Sequence, residues 1–173
     1  MPTLKVFVAG LPGVGKTETI KSASDLPLVS VEKKILGTSE IHVMDYGRVY
    51  LPPVMLYFYA NTHGEAPSTV WPRLRDEMQA LLFLYDGTAP EQAARAHKEF
   101  TSCISDYTGA VVIGVSKIDD PQFSSGVYDS AVEAVGSRCA VLPYAGLQRD
   151  SVRVLVDEII RSLSNTGGLA WPT

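Results

Sequence analysis

The sequence predicts an α/β fold built on a mostly parallel, six-stranded sheet with one antiparallel edge strand. Short apolar runs alternate with segments of helical periodicity, the pattern of an α/β chain. Several of those runs are apolar almost throughout, as expected of strands covered on both faces. One pair of runs, 41–49 and 54–60, is joined only by Leu51-Pro52-Pro53. So short a link requires a hairpin, because a parallel crossover takes a dozen residues or more.

The elements follow in order. A first strand over 4–9 runs into a glycine-rich turn, and a helix starts at Gly15. Residues 24–39 have weak periodicity and read as a long loop, a feature that in a compact domain usually serves function. The hairpin over 41–60 comes next, then a polar loop over 61–70 containing Gly and Pro. A helix is expected over about 71–78 and a strand over 80–85. A helix over 90–105 would have Thr88 as its cap and Pro90 in its first turn. A strand over 110–116, a helix over 127–135 and a strand over 140–142 precede the last helix, 149–163. That helix has apolar residues at 152, 155, 156, 159, 160 and 163, an amphipathic stripe. Trp71, Phe83 and Tyr85 are expected in the core, and Tyr57-Phe58-Tyr59 should alternate between the two faces of the sheet. A length of 173 residues fits one domain, expected over 1–164, with a frayed tail over 165–173 around Gly167-Gly168.

Composition narrows the function. With 46% hydrophobic and 20% charged residues the chain is ordinary globular material. A net charge of −4, with Lys33-Lys34 an isolated basic pair, gives no pull toward nucleic acid or anionic lipid. Cys103 and Cys139 lack zinc-ligand spacing and read as two reduced thiols of a cytoplasmic protein. No apolar run approaches the roughly 20 residues of a membrane span. Neither a signal peptide nor a lipidation site is expected at the ends, so no direct membrane anchor is expected.

Residues 10–17 read Gly10-Leu11-Pro12-Gly13-Val14-Gly15-Lys16-Thr17, the GxxxxGK[ST] pattern of a P-loop, between an apolar strand and a helix. Glycines at 10, 13 and 15 let backbone N–H groups approach phosphate oxygens without a Cβ in the way. Val14 and the helix start through Glu18 belong to the same cradle, where free N–H groups and the helix dipole favour an anion. Lys16 would reach the β- and γ-phosphates, and the Thr17 hydroxyl would ligate Mg²⁺. About a hundred residues later Ser116-Lys117-Ile118-Asp119 closes an apolar strand. A carboxylate there can accept from guanine N1–H and the 2-amino group; adenine lacks that donor pair and would leave the carboxylate unpaired. The Lys117 stem can cover the base plane.

These motifs resemble those of bacterial small Ras-like GTPases of the MglA and signal-recognition-particle-receptor-β-like group, over about residues 3–163. Ser116-Lys117-Ile118-Asp119 stands where that family has [NT]KxD, and Tyr144-Ala145-Gly146 where it has the SA[KL] loop that supports the base. Met44-Asp45-Tyr46-Gly47-Arg48 looks like the DFGR segment of the group's second strand, and Ala60-Asn61-Thr62-His63-Gly64-Glu65 occupies the place of its GTPGQ segment. The resemblance implies a Ras-like G domain with a three-layer P-loop NTPase fold, binding GTP or GDP with Mg²⁺. It also implies a Roadblock-fold (MglB-like) activator or another signalling protein as partner. Gly64 would supply the N–H that senses the γ-phosphate. Thr38 and Ser39 are the nearby hydroxyls for the switch I magnesium ligand, of which Thr38 is the candidate.

Besides Ser116, which stands for the usual Asn or Thr, the chain departs from the Ras-like pattern at further positions. Asn61 replaces the Asp that holds a magnesium water in ordinary Ras-like proteins, an Asp that the resembling group often lacks as well. Glu65 replaces the Gln that orients attacking water, and its charge beside the γ-phosphate predicts slow hydrolysis. Pro12 stands where many relatives have Gly. His63 is either a water-polarising residue or an exposed loop histidine, and Arg48 reads as structural. The leading reading is a GTP-dependent switch with slow Mg²⁺-dependent hydrolysis, with Lys16, Gly64 and Glu65 at the chemistry. A pseudo-GTPase scaffold is the alternative. An ATP-using kinase would need an arginine-rich lid, and the sequence has no such arginine cluster.

Overall fold

The computed structural model describes residues 1–62 and 64–167. The chain folds as β1 (Thr3–Gly10), α1 (Lys16–Ala23), β2 (Val29–Lys34), β3 (Ile41–Leu51), β4 (Val54–Asn61), α2 (Pro67–Leu74), β5 (Ala80–Asp86), α3 (Ala93–Ile104), β6 (Ala110–Ser116), α4 (Ser125–Val135), β7 (Ala140–Pro143) and α5 (Arg149–Asn165). Short 3₁₀ turns at Arg75–Glu77 and Pro90–Gln92 lead into β5 and α3 respectively.

The sheet has seven strands in the order β2-β3-β4-β1-β5-β6-β7, one more than the sequence predicts. The added strand, β2, lies in the segment read as a loop. Its side chains are exposed or half-buried on both faces, so it lacks the buried face that produces alternation. Antiparallel pairing with β3, from Val29↔Tyr46 to Lys34↔Ile41, defines it instead. The antiparallel strand β3 is therefore interior, and β2 takes the edge. The expected hairpin is present with Leu51↔Val54 as its last pair, and every other neighbour pair is parallel.

Several helix boundaries move, among them the start of α4, at Ser125 and not 127. The helix expected over 71–78 begins at Pro67, because a proline in the first turn has no N–H to leave unpaired. The one expected over 90–105 is a 3₁₀ turn followed by α3. Thr88 does not cap it: its N–H and its hydroxyl both donate to Asp86 Oδ1, at 2.9 and 2.7 Å. The last helix continues past the expected domain end to Asn165. Most of the expected tail, 168–173, lies outside the described residues.

Alternation along the strands builds two cores. Val6, Val8, Leu56 and Leu82 face α1 and α5, where Leu155 and Ile159 meet them. Phe7, Leu81, Phe83 and Ile113 face the other way, toward Trp71 and Phe100 of α2 and α3. Trp71 lies against Phe7 at 5.6 Å between ring centroids, and its indole N–H donates to Cys103 O at 2.7 Å. Phe58 enters the first core, while Tyr57 and Tyr59 meet Tyr46 on the opposite face. This helix–sheet–helix layering brings the C-terminal ends of β1, β4, β5, β6 and β7 to one rim, where ligands of open α/β sheets bind.

Candidate functional site

The turn after β1 takes the shape its glycines permit. Gly13 and Gly15 have φ of 81° and 104°, left-handed values that disfavour any side chain. Gly10 is required by packing, since a Cβ there would lie 2.8 Å from Leu84 O. Gly15 caps α1 without a side-chain hydrogen bond, so first-turn N–H groups face the loop. The Lys16 ammonium donates to Gly10 O at 2.9 Å and to Leu11 O at 3.3 Å, folding over the loop; burial lowers its pKa. Thr17 Oγ1 donates to Asp45 Oδ2 at 2.5 Å.

A cleft of about 550 Å³ runs from Gly13, Gly15 and Glu18 to Lys117, Asp119 and Gly146, within the usual size of small-molecule sites. The loop after β6 is stitched to the P-loop side chain by side chain. Ser116 Oγ lies 3.0 Å from Val14 O and 3.2 Å from Tyr85 O, so one buried hydroxyl serves both strand end and loop. Lys117 is the one non-glycine residue with positive φ, 65°, among the described residues. Its ammonium donates to Asp86 Oδ2 at 2.6 Å and reaches Gly13 O at 3.5 Å. Burial pushes the Asp86 carboxyl up, but hydrogen bonds from Lys117 and Thr88 outweigh it and hold the group below the ordinary aspartate value. Asp119 lines the cleft and accepts from Gln148 Nε2 at 3.2 Å.

The SA[KL]-like loop is arranged differently from the expectation. Ala145 is buried and its N–H donates to Ser151 Oγ at 2.7 Å, so Gly146 and Leu147 form the cleft wall in front of it. Behind them the buried Tyr144 hydroxyl is 2.8 Å from Thr19 Oγ1, which itself donates to Gly15 O at 2.7 Å. Sequence reading misses Thr19, Asp86 and Gln148. Asp86 alone has a local signal, as the polar residue ending an apolar strand.

On the other side of Lys16, Asn61 and Glu65 share a small recess with Lys16 and Gly10. Gly64 lies beside them in the open; a Cβ there would meet nothing within 4 Å. His63 lies outside the described residues. Thr38 is not drawn to this group. It sits in the β2–β3 turn, where its hydroxyl donates to Ile35 O at 3.0 Å and accepts from Glu40 N at 3.1 Å. Asp45 is four residues into β3 from Ile41 at the start of that strand, on the order of 13 Å along it. The neighbour of Thr17 is therefore Asp45. Both are oxygen donors, the kind magnesium takes, so the pair fits that ion.

No protein-family model matches the chain, and no curated protein matches it in sequence. Solved structures do match its fold. The Arl6 BBS3 small GTPase from Trypanosoma brucei, with bound nucleotide analogue GppNp, superposes with a TM-score of 0.72 at 14% identity, over 95% of this chain and 99% of that one. A point variant of Era from Aquifex aeolicus, bound to GDP.AlF4-, superposes with a TM-score of 0.63 at 14% identity, over all of this chain and 59% of its own. The chain thus has the α/β P-loop fold of small GTPases.

Proposed function

We propose that this protein is a guanine-nucleotide switch of the MglA-like kind that hydrolyses GTP slowly with Mg²⁺. The observation that carries the reading is the continuous cleft from Gly13 and Gly15 of the P-loop to Asp119, with the start of α1 at one end and a carboxylate suited to guanine at the other. In this reading P-loop amides and the Lys16 ammonium hold the phosphates and take up charge that develops on the γ-phosphoryl oxygens. Asp119 selects the base, while Ser116 and Lys117 keep the base loop fixed to the P-loop. Gly64 and Glu65 lie beside the γ-phosphate position, where Glu65 orients water poorly against like charge. Mg²⁺ would be held by Thr17 and would neutralise phosphate charge. The family resemblance extends the reading to a Roadblock-fold partner or another signalling protein, and the two cysteines, read as reduced thiols, to a cytoplasmic setting; among the described residues no helix is long and apolar enough to cross a membrane.

The test is nucleotide analysis of the purified protein, with GTP turnover at saturating Mg²⁺ and competition by ATP. Bound GDP, slow phosphate release and indifference to ATP support the switch. Bound GTP without turnover identifies a pseudo-GTPase scaffold, the reading that Asn61 and Glu65 favour. Lys16→Ala is expected to weaken nucleotide binding on the order of a hundredfold, the effect of losing a charged hydrogen-bond donor to phosphate. Unchanged affinity would remove the P-loop from the site.

A further inference from the structure

The nucleotide reading leaves the side chain of Tyr144 without a task. The residue is fully buried. Its ring lies against Gly114 of β6, where a Cβ would come within 2.8 Å of Tyr144 Cε1, so glycine there makes the room. The main chain of Tyr144 belongs to one half of the cleft. Its N–H donates to Val115 O at 2.9 Å, and its carbonyl accepts from Ile118 N at 3.2 Å, inside the Ser116–Asp119 motif. Its hydroxyl ends in the other half, 2.8 Å from Thr19 Oγ1 on α1. One residue thus touches both sides.

Counting protons gives the direction of these bonds. A hydroxyl has one proton to donate. That of Thr19 goes to Gly15 O at 2.7 Å, a carbonyl, which can only accept. Tyr144 is then the donor to Thr19, and the bonds form a chain from Tyr144 through Thr19 to Gly15. Gly15 O also accepts from Thr19 N at 3.0 Å. Gly15 stands ahead of the helix with a φ of 104°, and a glycine there has wide freedom, so outside bonds are what hold its peptide. The peptide unit joining Gly15 to Lys16 is planar and trans, and its C=O and N–H point in opposite directions. Bonds that hold the Gly15 carbonyl toward the body of α1 therefore turn the Lys16 N–H outward, to the helix start where an anion binds. Successive hydroxyl donors also polarise that peptide and strengthen its N–H as a donor.

We infer that Tyr144 and Thr19 are positioning residues that aim the Lys16 amide at phosphate and tie the P-loop to the loop after β6. The inference rests on the guanine-nucleotide reading. The opposing account makes Tyr144 a packing residue whose hydroxyl is merely satisfied, and the two differ in whether the loss of that hydroxyl is felt by phosphate alone.

The experiment measures dissociation constants for GDP and GMP, in competition with a fluorescent GDP analogue, for wild type, Tyr144→Phe, Thr19→Val and the double variant. Tyr144→Phe keeps the ring and the main-chain bonds, and Thr19→Val keeps the shape. P-loop amides cradle the α- and β-phosphates, and GMP lacks the second of these. The expected result is GDP binding about fivefold weaker in each single variant, roughly the worth of one hydrogen bond, with GMP binding unchanged. The double variant is expected to be no weaker than Thr19→Val, because Tyr144 acts through Thr19. Thr19→Ser, which keeps the hydroxyl, should recover GDP affinity. Melting curves report whether each variant folds, and Tyr144→Phe alone carries the GDP and GMP comparison if Thr19→Val does not. GDP and GMP weakened by one common factor, or GDP affinity unchanged, overturns the inference. So do losses that add in the double variant. Wild-type protein that binds neither nucleotide nor the analogue overturns the switch reading itself, and this inference with it.

Discussion

At the scale of single residues, Glu65 sets the sharpest expectation. It shares a recess with Lys16 and Gly10, so it borders the space assigned to the γ-phosphate. A carboxylate there repels phosphate oxygens, whereas an amide of the same shape does not. Glu65 is exposed, so solvent screens part of the repulsion. Glu65→Gln is expected to raise single-turnover GTP hydrolysis by about tenfold, equivalent to a modest lowering of the barrier. A fall in rate would instead give the carboxylate a positive role in handling water. The residues of this argument are legible in the sequence because each sits in a contiguous motif. Their partners are not: Asp45 lies 28 positions from Thr17, and Asp86 lies 31 from Lys117.

At the scale of elements, α1 and β3 approach closely at Gly47. Gly47→Ala puts a methyl within 2.4 Å of Ile20 Cγ2 and 3.2 Å of Ser24 Cβ. Overpacking of that kind destabilises by about 1–3 kcal/mol. The expected loss is visible in urea unfolding, and Ile20→Ala should be less damaging in the Gly47→Ala background than in wild type, a coupling on the order of 1 kcal/mol. Additive effects would mean that glycine at 47 serves something other than this approach. The same junction explains what the sequence leaves unread. Strands with buried faces announce themselves through apolar runs, and the limits expected for β6 are its true ones, Ala110–Ser116. Strand β2 has no buried face, so only its pairing with β3 reveals it. Helix α2 starts in a polar Pro-Ser-Thr stretch that resembles a loop until packing of Val70 and Trp71 is seen.

At the scale of the whole molecule, two carboxylates fasten distant segments together. Asp86 at the end of β5 holds Lys117 of the loop after β6, and Glu77 holds Lys33 of β2 at 2.7 Å and Lys5 of β1 at 3.4 Å. For both, burial raises the pKa, and the hydrogen-bonded lysines, joined at Asp86 by Thr88, lower it further than burial raises it. A carboxylate whose folded pKa lies below its unfolded value contributes stability above the unfolded value, roughly 4. That contribution fades as the pH falls through the folded value. Asp86 also fixes the loop after β6, so Asp86→Asn should be less stable than wild type at neutral pH in the absence of nucleotide. The gap should close as the pH falls from about 4 through the lower folded value, because the wild-type carboxyl is then neutral like the amide. Urea midpoints for the two proteins between neutral and acid pH measure it. A gap that stays constant over that range would mean that Asp86 contributes through shape and neutral hydrogen bonds to Thr88, and that its charge on Lys117 does not hold the base loop in place.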